Sequence, residues 1–125
     1  MINIKKQKPL LIALLAFISI LSCAKEDPAL HMKRGDFWLE NGNIDRAILE
    51  YKKTTLIYKE DQAQLAREGY EVLGRAHFKL AICYTKNEWW EYALSEAKQS
   101  FQYHPNKDSH DLVKLIEQKI ALKIN

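Results

Sequence analysis

Cysteine, proline and glycine are scarce in this chain: two, three and four among 125 residues. Two cysteines are too few for a disulfide framework, and so little glycine and proline excludes a collagen-like or low-complexity chain. A hydrophobic share of 47% excludes a disordered one, and 125 residues leave room for a single domain. Equally missing are the spacings that carry common chemistry. No glycine-rich phosphate loop, Gly-x-Ser-x-Gly elbow, Cys-x-x-Cys pair or His-Glu-x-x-His occurs. His104 and His110 flank a proline turn at a spacing that suits no familiar metal site. The expectation is a protein that is not an enzyme and takes no cofactor or metal.

The formal charge of +3 invites nucleic acid. Lys5, Lys6 and Lys8 precede every acidic residue and account for the whole excess, so the body is balanced and no nucleic-acid partner is expected. Those lysines lead into Leu10 to Leu21, apolar apart from Ser19, followed by Ser22 and Cys23. This is the order of a signal peptide, and twelve apolar residues fall short of the roughly 20 that cross a bilayer. Ile20-Leu21-Ser22-Cys23 resembles the lipobox of bacterial lipoproteins, with Leu21 departing from the usual small residue, as in the relaxed lipobox of spirochaetes. The resemblance implies removal of residues 1–22, lipid attachment at Cys23 (palmitate among the chains), a polar tether over 23–28 and a domain over 29–125. It places the protein on a bacterial cell envelope membrane, at the periplasmic face or the outer membrane. Cys83 then has no thiol partner, and its run Leu80-Ala81-Ile82-Cys83-Tyr84 predicts a small buried hydrophobe.

From Leu30 onward no apolar–polar alternation is long enough for strands, and proline is absent between Pro28 and Pro105. The fold class is all-α. Asn41-Gly42-Asn43 breaks the first helix, with Asn43 capping the next. Ile44, Ala47, Ile48, Tyr51, Thr55 and Tyr58 form one stripe. A break near Glu60-Asp61 is followed by Ala63, Ala66, Tyr70, Leu73, His77, Leu80 and Tyr84, which predict a helix from Gln62 to Lys86. The alternative ends the preceding helix near Glu68, with Gly69 as its C-terminal cap, and restarts at Glu71. Asn87 is the expected cap of the next helix, and His104-Pro105-Asn106 ends that one. A last helix over Ser109 to Lys123 carries Leu112, Leu115, Ile116, Lys119 and Ile120 in its stripe.

Gly35, Trp38, Ala47 and Tyr51 are mirrored 46 residues later by Ala81, Tyr84, Ala93 and Ala97. Together with Leu80 and Pro105, these residues resemble the tetratricopeptide repeat, a helical hairpin of about 34 residues. The resemblance implies antiparallel hairpins, about two of them, with Gly35, Ala47, Ala81 and Ala93 allowing close approach and Trp38 and Tyr84 filling the gaps. His31, Arg34, Lys59, His77 and Ala97 depart from the family pattern, and about twelve residues are inserted between the copies. His31 and His77 are expected to pack inside their hairpins. Two units leave apolar ends uncovered. The last helix caps one, while the Gln62–Leu73 turn, self-association or a partner would cover the other.

In that family the first helix of each hairpin lines a groove. The resemblance therefore places Met32, Asp36, Leu39 and Glu40 opposite Arg75, Phe78, Lys79, Ile82 and Lys86, a mixed-charge groove for a protein or peptide partner. Met32 and Asp36 disfavour the chaperone-tail ligands of some members. Trp90 is expected in the core, and Trp89, where a polar residue is usual, as a contact for a partner, the bilayer interface or a second copy. The functional expectation is a lipid-anchored adaptor. Its alternatives are a structural subunit of a larger envelope assembly, or a small-molecule or lipid carrier with a cavity among Phe37, Trp38, Tyr70, Phe78 and Tyr84.

Overall fold

A computed structural model describes residues 26–124. The expected signal segment, 1–22, and Cys23 lie outside them. The described chain is all helix: α1 (Pro28–Glu40), α2 (Ile44–Glu60), a 3-10 turn (Gln62–Gln64), α3 (Arg67–Lys86), α4 (Trp90–Tyr103) and α5 (Lys107–Ile124). Each helix packs chiefly on its neighbours in the chain. Contacts between residues 28 and 54, 31 and 50, and 38 and 46 run antiparallel in the first hairpin, as those between 74 and 104, 77 and 96, and 84 and 92 do in the second.

Local chemistry accounts for the boundaries. Asp27 accepts a hydrogen bond from the Ala29 amide at 2.9 Å, and Pro28, which lacks a donor, occupies the first helical position. Of the stretch expected as a tether, 23–28, the described part is not free of the body: Asp27 and Pro28 begin α1 and Glu26 reaches His31. Asn43 caps α2 by accepting from the Arg46 amide, as its position implied. Asn106 and Ser109 cap α5 reciprocally: the Ser109 amide donates to Asn106 Oδ1 at 2.9 Å and the Asn106 amide to Ser109 Oγ at 3.3 Å.

Two expected boundaries need correction. The helix predicted from Gln62 begins at Arg67, and Gly69 lies inside it rather than capping its predecessor. Leu65 is extended, and its side chain occupies the space above Gly69, where an added Cβ would lie 2.8 Å from Leu65 Cδ2. That packing fixes the break at 65–66 and leaves Ala63 and Ala66 exposed. Asn87 does not cap α4; it ends α3, and Trp89 stands at the cap position with no side-chain hydrogen bond.

The core is small residues against rings. Ala47, Ala76, Ala81, Ala93 and Ala97 are fully buried with Tyr51, Leu80 and Ile116, and Trp38 and Trp90 pack against them half-buried. A Cβ on Gly35 would meet the Tyr51 ring at 2.5 Å, so glycine at this position is a requirement of the ring's placement. Burial also pushes the Cys83 thiol up to about 11, so it is a protonated core side chain at neutral pH. In α5, Leu112 and Ile116 are buried, but Leu115 and Lys119 face outward, contrary to their expected place in the stripe.

His31 and His77 do more than pack. Each is buried, and each Nδ1 meets a glutamate 19 residues on, Glu50 or Glu96, at 2.5 Å. The Nε2 of His31 meets Glu26 at 2.7 Å. Val72 stands at the matched place in the second hairpin, and His77 Nε2 is buried without a partner. Burial works against the Glu50 carboxylate, but the His31 hydrogen bond and the charges of Lys53, His31 and Arg34 outweigh it and hold the group below its ordinary range. A carboxylate depressed in the folded state contributes stability above its unfolded value, about 4.3, and loses it as pH falls through the folded value. Melting curves recorded between about pH 3 and 5 should fall more shallowly for Glu50→Gln than for the natural chain.

Candidate functional site

The residues expected to line a mixed-charge groove divide among several places. Asp36, half-buried on α1, accepts from Tyr51 Oη at 2.6 Å and from Lys79 Nζ at 3.3 Å. Burial, with the Asp36 hydrogen bond, pushes the Tyr51 hydroxyl far up, so it remains a donor. The acidic and basic walls thus neutralise each other at their closest point. Leu39 and Ile82 pack against the core. Glu40 and Lys86 are exposed, and Arg75 joins Lys79 beside Glu71, Phe78 and His104 in a shallow depression of about 430 Å³. The aromatic cavity expected among Phe37, Trp38, Tyr70, Phe78 and Tyr84 does not form. Phe37 meets Trp38, Tyr70 stacks on Tyr103, and Tyr84 joins other rings.

Those other rings line a cleft of about 850 Å³. Tyr84 closes α3, Trp89 precedes α4, and Tyr92 lies in its first turn. Their centroids are 5.9 Å apart for Tyr84 and Trp89, 5.7 Å for Tyr84 and Tyr92, and 6.2 Å for Trp89 and Tyr92. Tyr84 is buried beneath, whereas Trp89 is 52% exposed and Tyr92 66% exposed. Ile120 and Ile124 from α5 form the apolar wall, and Glu88, Glu91, Lys52 and Lys123 also line the cleft. Of the residues expected to contact a partner, Trp89 alone lies in this cleft. Tyr92 was missed although it follows Trp89 by three residues, within one helical turn; Ile120 and Ile124 were missed because their approach depends on α5 folding back along α4.

The first hairpin provides an internal control for the cleft. Its Asn41-Gly42-Asn43 turn and the Asn87-Glu88-Trp89 turn make the same hydrogen bonds, the third amide donating to Trp38 O or Tyr84 O at 2.9 Å. Gly42 has φ +76°, where glycine is at ease, but Glu88 has φ +58° at the matched place. A left-handed non-glycine residue costs roughly 1–2 kcal/mol. Asn43 caps its helix, but Trp89 does not, a further loss of about 1 kcal/mol. The second turn thus gives up stability twice at adjacent residues, and both residues border the cleft. Strain of this kind clusters at functional sites, and here it coincides with the cleft.

No protein-family model, curated protein or solved structure matches this chain.

Proposed function

We propose that the chain is a lipid-anchored, tetratricopeptide-like adaptor that recruits a protein or peptide at a bacterial envelope membrane. The observation that carries this reading is the half-exposed Trp89–Tyr92 surface set on rigid helices beside an apolar wall. Large aromatic side chains kept in water at a strained turn are the usual anchors of a protein contact. Support for the family comes from the matched small residues at 35, 47, 81 and 93, all buried where helices meet. Acyl chains on Cys23 would confine the body to the membrane and raise its effective concentration there.

A photo-crosslinker at position 89 in intact cells should capture a defined protein, and Cys23→Ala should move the chain from the detergent phase to the aqueous one. No captured protein would remove the adaptor role, and unchanged partitioning would remove the anchor.

A second reading, a structural subunit of a larger envelope assembly, is favoured by Leu49 and Leu56. They lie two turns apart on α2, and both are about 60% exposed. Mass that rises with concentration, and stops rising in Leu49→Ser/Leu56→Ser, would select this reading over a monomeric adaptor.

A further inference from the structure

We infer that the cleft receives an arginine side chain from an extended segment of the partner, its guanidinium lying on the outward faces of Trp89 and Tyr92. The inference rests on the adaptor reading and specifies its ligand. The argument again comes from the two hairpins. In the first, the aromatic side chain that closes the contact, Trp38, is covered from within the chain: the Arg46 guanidinium carbon lies 4.5 Å from its ring centre. Position 92 matches position 46 and holds tyrosine, and Tyr84 matches Trp38. The second hairpin therefore replaces its own cation with a further ring, and Trp89 adds another. Among the described residues no cation stands over Tyr84, Trp89 or Tyr92.

Ring faces attract a weakly hydrated planar cation, and guanidinium stacks on them better than ammonium does. Glu88 and Glu91 border the rings and supply carboxylates that a guanidinium can engage through two N–H groups at once. Lys52 and Lys123 also line this cleft, so a bare polycation is disfavoured there and an arginine followed by an acidic residue, which can meet a lysine, is accommodated. The apolar wall of Ile120 and Ile124 offers contact to the aliphatic stem.

The test uses the full chain with ¹⁵N-labelled indoles in maltoside micelles. It is titrated with a short glycine–serine–leucine peptide bearing one central arginine followed by aspartate. Parallel titrations place lysine, or citrulline with the same shape and no charge, at the centre. The arginine peptide should shift the Trp89 indole signal, with binding about tenfold weaker for citrulline and intermediate for lysine. Glu88→Gly/Trp89→Asn, which copies the first turn, should melt several degrees higher and lose the preference for the arginine peptide over the citrulline one, read on the Trp90 indole. Glu91→Gln should weaken arginine binding and leave citrulline binding unchanged.

Equal binding of the arginine and citrulline peptides, or no binding by either, overturns the guanidinium assignment. A partner crosslinked at position 89 in cells would then leave the adaptor reading standing. A Trp89 signal that moves on transfer to phosphatidylcholine nanodiscs and ignores the peptides assigns the cleft to lipid and overturns the inference as well. Arginine-dependent binding together with no protein captured in cells would keep the ligand chemistry and remove the adaptor role.

Discussion

Gly35→Ala should lower the melting temperature by about 10 °C, followed by helical circular dichroism. Alanine is the better helix former by about 1 kcal/mol, so propensity alone predicts the opposite sign. The decisive quantity is the 2.5 Å that would separate the new Cβ from Tyr51 Cε1. The ring has nowhere to go. It is fully buried, and its hydroxyl is held by Asp36, itself bridged to Lys79. Overpacking a site that cannot yield costs about 3 kcal/mol, leaving a net loss near 2 kcal/mol, and a domain of this size loses about 4–8 °C for each. The second hairpin holds Ala81 and Ala97 where the first holds Gly35 and Tyr51, so a methyl group is accommodated at this position where no ring stands opposite it. In a Tyr51→Ala background, Gly35→Ala should therefore be neutral or stabilising. Additive losses in the two backgrounds would refute the steric account.

Glu96→Ala should destabilise the fold by about 2 kcal/mol in urea titrations, and Glu50→Ala by about half as much. Both substitutions remove the acceptor of a buried histidine Nδ1. His31 keeps Glu26 on its other nitrogen, whereas His77, with Val72 in the matched place, keeps nothing. An imidazole stranded in the core forfeits the solvation it gave up on folding. Stacking of His77 on Tyr103, at 5.4 Å between centroids, holds the ring in place and prevents it from turning towards water. Equal losses for the two variants would mean that Glu26 contributes nothing to His31.

Much of this architecture could be read from residue spacing. Asn41-Gly42-Asn43, Glu60-Asp61 and His104-Pro105-Asn106 all mark real helix ends, because breaks made by caps, glycine and proline depend on a few adjacent residues. The start of α3 could not be read so. It rests on Leu65 lying over Gly69, a contact with no signature among conventional caps. The histidine–glutamate pairs were legible but passed over. Histidine and glutamate recur at 31 and 50, then at 77 and 96, the same offset that relates the small residues. The cleft was half legible: Trp89 stood out as a misplaced aromatic, but Ile120 and Ile124 reach it only through the turn at Pro105.

Packing of each helix chiefly on its predecessor and successor has a kinetic consequence. Contacts close in sequence require little loop entropy before they form, so the chain should fold in microseconds to milliseconds. Opening should begin at α5, which is held chiefly by α4, and amide hydrogens there should exchange ahead of those in α2 and α3. Because α5 supplies Ile120 and Ile124, local fraying at that end would dismantle the aromatic cleft while the two hairpins stayed intact.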